Sequence, residues 1–157
     1  MKSLIVYYTR TGNAKFVAET IAVELGSDIE EILDLKKYGG PIGWVNAGKD
    51  STQEKDAQIA PTKMSPANYD LIVVGTPVWA WRPTPAIRTF IKQNDLSGKK
   101  VALFFTCDGN PKEAVERTKT LLPNAKLVSD LVLAKPLKDK EKTKRKITEW
   151  CSNLKQA

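Results

Sequence analysis

The sequence contains no histidine among its 157 residues. This absence excludes Ser-His-Asp and Cys-His nucleophilic catalysis, histidine general bases and every zinc site that uses an imidazole ligand. The two cysteines, Cys107 and Cys151, are too few for a thiolate metal cage. We therefore predict no metal site, and any demanding chemistry has to come from a bound cofactor.

A disulfide framework is also missing. The two cysteines lie far apart in the sequence, one in a predicted strand and one in a predicted helix, which indicates reduced thiols packed in a core. A single disulfide between them is the alternative.

Long apolar runs are absent as well. The longest are strand-length, well short of the roughly 18 apolar residues that a membrane span needs. Near the first residue, about five apolar residues follow Lys2 before a polar loop, which is too short for a signal peptide. We expect a cytoplasmic protein without membrane insertion.

Positive charge, by contrast, is in excess. The formal net charge is +7, and residues 135–157 carry eight Lys/Arg against three Asp/Glu. Such a patch could meet acidic proteins, nucleic acid or anionic lipid, or it could be the solvated face of a terminal helix. Trp150 is the one aromatic residue among these lysines, and it fits the apolar stripe of that helix. We therefore expect no nucleic-acid partner.

Short apolar runs alternate with helical periodicities along the chain, and the length favours one domain over residues 1–157. The predicted strands cover residues 4–8, 29–35, 69–76, 101–105 and 127–133. Predicted helices cover residues 14–25, begin near Thr84 and Asn110, and end the chain. At the helix near Asn110, we predict a capping box with Asn110 as the cap and Glu113 as its acid. Glycines and prolines make residues 36–66 a long irregular connection with one short helix around residues 45–51. This alternation predicts an open, doubly wound α/β sheet.

Ligands of such folds bind beyond the carboxyl ends of the strands, where three loops stand out here. The first loop, residues 9–13, joins a buried strand to a helix N-terminus and contains Thr9, Thr11 and Gly12. Free backbone N–H groups and hydroxyls there suit a phosphate. The loop is neither a Walker A loop nor the dinucleotide G-x-G-x-x-G motif, so we predict a phosphomonoester.

The run Thr9, Arg10, Thr11, Gly12 and Asn13 after a hydrophobic strand resembles the phosphate-binding loop of the flavodoxin family. The resemblance extends over nearly the whole chain. It implies bound FMN and a flavodoxin-like, three-layer αβα sandwich with a five-stranded parallel sheet in the order 2-1-3-4-5. Ala14 departs from the pattern, because the family commonly has threonine there, so we expect one phosphate contact to be missing.

The other two loops would flank the flavin ring by the same resemblance. The second loop consists of Thr76, Pro77, Val78, Trp79, Ala80 and Trp81, and the third of Thr106, Cys107, Asp108 and Gly109. We expect one tryptophan, preferably Trp79, to stack on the ring while the other covers the end of the sheet. Asp108 either places its backbone near the flavin or serves only as a turn residue. Cys107 is predicted to be packed rather than reactive, because no basic neighbour lowers its pKa.

The resemblance implies an electron-transfer protein that shuttles one or two electrons between redox partners, without catalytic residues of its own. Because the chain is basic, we expect an acidic, ferredoxin-like partner. We expect the protein to be a monomer or a weak dimer. Residues 76–85 lack the glycine that the family often uses to flip a peptide toward flavin N5. A flip to positive φ at Ala80 or Trp81 would therefore cost more than at glycine. Two alternatives remain: an FMN-dependent NAD(P)H:quinone-type oxidoreductase, and a flavin-free domain that binds protein partners.

Overall fold

The computed structural model describes residues 1–157 and contains five parallel strands with one short antiparallel strand. The strands are β1 Ser3–Tyr7, β2 Asp28–Glu31, β3 Leu71–Trp79, β4 Arg82–Pro83, β5 Lys100–Cys107 and β6 Lys126–Ala134. The helices are α1 Asn13–Leu25, α2 Gly40–Thr52, α3 Pro85–Gln93, α4 Ala114–Thr120 and α5 Lys140–Gln156. The sheet order is β2-β1-β3-β5-β6, with β4 paired to β3. Counted along the five parallel strands this is 2-1-3-4-5, so the predicted αβα fold is confirmed.

The central strands are apolar on both faces because helices cover the sheet from both sides. Leu4 and Val6 of β1 belong to one buried cluster, whereas Ile5 and Tyr7 belong to the cluster on the opposite face. The predicted stripe of the last helix is confirmed, since Ile147, Trp150, Cys151 and Leu154 are all buried. The two cores therefore fix the positions of the strands, and the carboxyl ends of the parallel strands lie together at one edge of the sheet.

Two connections differ from the prediction. β2 ends at Glu31 instead of residue 35, because the chain then leaves the sheet edge and Asp34 bridges to Ile59. α2 covers thirteen residues, more than the predicted 45–51, because Gly39 is its N-cap and Pro41 lies in its first turn. The Gly-Gly-Pro run thus starts a helix, as proline in a first turn commonly does.

The predicted capping box at Asn110 and Glu113 is wrong. The Asn110 side chain accepts the Lys112 N–H at 2.7 Å, and Lys112 has a φ of 46°. Because the Asn110 side chain is engaged in this local turn, it does not cap a helix, and α4 begins at Ala114 instead.

Both cysteines are free thiols, as predicted. Cys151 is buried in α5, and burial raises the pKa of its thiol to about 12. Burial also raises the pKa of Cys107. Thiols in such surroundings stay protonated and unreactive. None of the helices has the length and apolarity to cross a membrane.

Two glycine-to-alanine substitutions should have opposite effects on stability. A Cβ at Gly75 would overlap the ring of Phe104, its partner across the β3–β5 pair. Gly75→Ala should therefore lower the free energy of unfolding by about 1–3 kcal/mol. Gly48 lies inside α2 with nothing within 4 Å of such a Cβ, so Gly48→Ala should raise it by about 1 kcal/mol. Urea unfolding measures both, and two changes of the same sign would contradict this packing.

Candidate functional site

The first turn of α1 presents backbone donors that have no partner within the protein. Gly12 is the N-cap with a φ of 95°, and no side chain caps the helix. The first N–H to find a carbonyl is that of Phe16, which donates to Gly12 O at 3.0 Å. The N–H groups of residues 13–15 are therefore available to a ligand. Glycine is needed at this N-cap because other residues rarely adopt its positive φ.

The two threonines of the first loop keep their hydroxyl protons available. Thr9 Oγ1 accepts the Gly12 N–H at 3.0 Å, and Thr11 Oγ1 accepts the Asn13 side-chain amide at 3.0 Å. Each hydroxyl acts as an acceptor in these contacts, so its O–H can still donate. An anion at the start of α1 would meet both hydroxyls together with the free N–H groups.

All three predicted loops meet at one cleft at the carboxyl edge of the sheet. Its lining contains Thr9, Arg10, Thr11, Asn13, Ala14, Pro77, Val78, Trp79, Thr106, Cys107 and Asp108. Of the other predicted residues, Gly12 shapes the first loop, whereas Trp81 and Gly109 lie outside the lining. Ala80 lines an adjoining cleft. Thr76 is buried outside the lining, where its hydroxyl accepts the Thr84 N–H at 3.1 Å and links β3 to the start of α3.

The two tryptophans of the second loop occupy different positions. Trp79 is half-buried and packs edge-on against Tyr8 and Tyr38, with ring centroids 5.5 and 5.0 Å apart. Burial raises the pKa of Tyr8 to about 12, so this tyrosine stays neutral at physiological pH. Trp81 is 47% exposed and lies under the Lys112 ammonium, 3.9 Å from the ring centroid. Trp79 is thus a fixed wall of the cleft, whereas Trp81 lies at its outer border.

The turn between β3 and β4 adopts a backbone conformation that normally requires glycine. Ala80 and Trp81 have φ values of 48° and 59°. Positive φ at both central residues is typical of the type I′ turn that joins two-residue hairpins. For non-glycine residues, the left-handed region costs roughly 1–2 kcal/mol each. The sequence predicted that this conformation would be costly here, and the structure adopts it in spite of the cost.

Contacts from α2 and from the hairpin itself hold that turn in place. The Ser51 hydroxyl lies 2.8 Å from Trp79 O and 3.2 Å from Pro83 O, one on each side of the turn. Arg82 donates to Ala80 O at 3.0 Å. Because Ser51 is fully buried, these hydrogen bonds are protected from water. Residues 36–66, which the sequence predicted as an irregular connection with one short helix, therefore support the strained part of the site.

Arg10 attaches the same segment to the first loop, and Asp50 connects residues within the segment. Arg10 Nε donates to Tyr38 O at 2.7 Å. The buried Asp50 carboxylate accepts the Tyr38 hydroxyl at 2.9 Å and also bonds the Lys36 ammonium. Burial alone would raise the pKa of Asp50, but the hydrogen bonds from Lys36 and Tyr38 outweigh it and lower the pKa. This buried network fixes Tyr38 against the cleft wall.

The adjoining cleft lies between α2 and the β3–β4 turn. Its walls combine Trp79 and Ala80, which the sequence predicted as site residues, with Trp44, Val45 and Lys49 from α2, which it did not. Trp44 and Val45 are 68% and 60% exposed. An exposed tryptophan in a glycine-rich segment was the available signal, but the sequence did not show that this segment folds toward the cleft.

The residues present fit both ends of FMN. The free N–H groups of α1 and the two threonine hydroxyls suit its doubly charged phosphate, and the helix dipole adds to them. The indole of Trp79 suits its planar ring. Ala14 offers a backbone N–H but no hydroxyl, so the expectation that one phosphate contact is missing stays a prediction.

Comparison with known proteins agrees with this geometry. A family model described as Flavodoxin matches residues 2–154. No curated protein sequence matches the chain. A candidate flavoprotein from Bacteroides uniformis is 24% identical, with a TM-score of 0.81 over 96% of this chain and 97% of that one. A flavoprotein from Lactobacillus acidophilus in complex with FMN is 25% identical, with a TM-score of 0.70 over 87% and 96%. Oxidised flavodoxin 2 from Bacillus cereus is 22% identical, with a TM-score of 0.65 over 99% of each chain.

Glycine at residue 80 should relieve the strain of the β3–β4 turn. Ala80→Gly removes a cost of roughly 1–2 kcal/mol and adds chain entropy to the unfolded state, for a net gain of about 0.5–1 kcal/mol in the free energy of unfolding. Ala22→Gly is the matched control within α1 and should lose about 1 kcal/mol. Urea unfolding measures both variants. Equal losses in the two would show that the turn at Ala80 is not left-handed.

Proposed function

Because this chain belongs to the flavodoxin family, we propose that it binds FMN in the cleft between the three loops and carries electrons, one or two at a time, between redox partners. The observation that carries the proposal is the meeting, at one edge, of an uncapped helix N-terminus and a fixed indole wall. The FMN complex of the Lactobacillus acidophilus flavoprotein supports the choice of cofactor. When bound, FMN supplies the redox chemistry, and the protein sets its orientation and surroundings.

Each part of the cleft has a distinct task. The N–H groups of residues 13–15 and the hydroxyls of Thr9 and Thr11 hold the phosphate. Trp79, kept rigid by two tyrosines, gives the ring a stacking face, and the backbone near Asp108 closes the other side. In this proposal no side chain transfers a proton, which is consistent with a sequence that lacks histidine.

The basic surroundings should also tune the potential. The chain carries a net charge of +7, and Lys112, three residues after the third loop, lies beside Trp81. Nearby positive charge favours the anionic form of a titratable or reducible group. We therefore expect a higher midpoint potential than acidic surroundings would give. The two free thiols suit a reducing compartment, so we place the protein in the cytoplasm.

The adjoining cleft favours one second candidate, an FMN-dependent oxidoreductase that passes electrons from NAD(P)H to a quinone-type acceptor. Its exposed walls, Trp44 and Val45, could receive an apolar ring beside Trp79. Stopped-flow mixing of the FMN-loaded protein with NADPH separates the two functions. A carrier should keep its visible absorption over seconds, because reduction needs a protein donor. Rapid bleaching by NADPH alone would favour the oxidoreductase.

The phosphate site can be tested by comparing FMN with riboflavin. Thr11→Val removes a hydroxyl donor, and hydrogen bonds to charged groups contribute about 1.5–3 kcal/mol. We expect FMN affinity to fall by about 10-fold or more, with little change in riboflavin affinity. Quenching of flavin fluorescence during titration measures both affinities.

Thr20→Val is the matched control, because the Thr20 hydroxyl only donates to Phe16 O, within the same helix. It should leave both affinities unchanged. Equal losses for FMN and riboflavin in Thr11→Val would place the phosphate elsewhere. A wild-type protein that quenches neither flavin would leave the second alternative, a flavin-free interaction domain.

A further inference from the structure

Five lysines surround the turn from β6 into α5 and form a surface that we call the basic rim: Lys135, Lys138, Lys140, Lys142 and Lys146. All five are exposed, and none of their ammonium groups lies within 4.0 Å of a carboxylate. The acids nearby are already engaged. Asp139 caps α5 by accepting the Lys142 N–H at 3.0 Å, and Glu141 pairs with Lys144 at 3.8 Å. The five ammonium groups of the basic rim therefore form no ion pair, and they outnumber the two carboxylates among them.

The basic rim adjoins the FMN cleft directly. The Lys135 N–H donates to Cys107 O at 2.8 Å, and Cys107 lines the cleft. On the other side, the Lys140 ammonium lies 5.6 Å from the ring of Phe16, which is in the first turns of α1. A partner seated on these lysines would therefore lie beside both the third loop and the phosphate end of the cleft.

Hydrogen bonds hold the backbone that carries these lysines. The buried Thr143 hydroxyl donates to Pro136 O at 2.8 Å, and the Lys138 N–H donates to Lys135 O at 3.0 Å. Leu137, between Lys135 and Lys138 in the chain, is 38% exposed. Charged side chains next to a small exposed apolar group are typical of the border of protein interfaces.

Resting on the proposed carrier function, we propose that the basic rim is the docking surface for an acidic redox protein of the iron–sulfur ferredoxin class. Opposite charges steer such an encounter and set its orientation. Each encounter oxidises one cluster by one electron and passes that electron to FMN. Two encounters complete the reduction of FMN, with protons taken from water. We favour a protein over nucleic acid or a membrane, because the lysines border a redox cleft that only an electron donor would use.

The test uses an acidic plant-type [2Fe–2S] ferredoxin, a low-potential one-electron donor, as the probe. Lys138→Glu combined with Lys142→Glu reverses two charges of the basic rim. Lys126→Glu combined with Lys155→Glu makes the same charge change near the amino ends of the strands, away from the cleft. Both lysines are exposed and form no ion pair. Stopped-flow absorbance follows electron transfer from the reduced ferredoxin to FMN. Nuclear magnetic resonance titration maps ferredoxin binding on the protein without flavin.

At low salt, the rim variant should lose about 10-fold or more in the rate of electron transfer and in affinity, whereas the control should change by about twofold or less. The difference should shrink at 0.5 M NaCl, because salt screens exposed charges. Shifted resonances should fall in residues 107–112 and 135–146. Both variants should bind FMN normally. If the wild-type chain does not bind FMN, the proposed function fails, whereas the titration of the flavin-free protein still tests the docking surface.

Three outcomes would overturn the docking proposal. One is an equal effect in the two variants, which would mean that only net charge matters. Another is the absence of salt-sensitive ferredoxin binding to the wild-type chain. The third is tighter binding of the lysines to phosphatidylserine vesicles or duplex DNA than to the ferredoxin, which would assign the basic rim to a membrane or to nucleic acid.

Discussion

The unpartnered N–H groups at the start of α1 are the feature on which the site depends. A helix N-terminus must satisfy its first donors with a cap, water or a ligand. Here Gly12 replaces the usual capping side chain, and its positive φ turns the chain so that the donors face the cleft. The two threonine hydroxyls are arranged around the same point. The connection from β1 to α1 thus leaves N–H and O–H donors free for an anion.

The opposite wall of the cleft is positioned by contacts of a different kind. The β3–β4 turn has two non-glycine residues in the left-handed region, and its conformation persists because surrounding contacts determine it. Ser51 reaches both strands of the hairpin, and Tyr38 supports the indole of Trp79. The long connection after β2 is therefore a structural part of the site. It supplies the buried hydrogen bonds that keep the aromatic wall rigid.

The charge of the protein is organised around the same edge. Most lysines and arginines elsewhere are spread over the surface, where isolated charges contribute little to stability. The lysines of the basic rim differ, because none of their ammonium groups pairs with a carboxylate and the Lys135 backbone is bonded to Cys107 at the cleft. A surface of this kind affects which partners approach and how fast they do so. Cofactor binding and partner choice would thus share one side of the sheet.

The sequence alone determined the layering of the fold and the first loop. Continuous apolar runs such as that of β3 require burial on both faces, and the stripe ending at Leu154 requires a helix on one face, so local burial patterns were sufficient. The loop around Gly12 could be read because its donors and hydroxyls are consecutive in the chain. Only the tertiary structure decided the rest, since it arises from contacts between distant segments. Ser51 with Trp79, Arg10 with Tyr38 and Lys135 with Cys107 are such pairs. Local preferences oppose the left-handed turn at Ala80, and long-range hydrogen bonds override them.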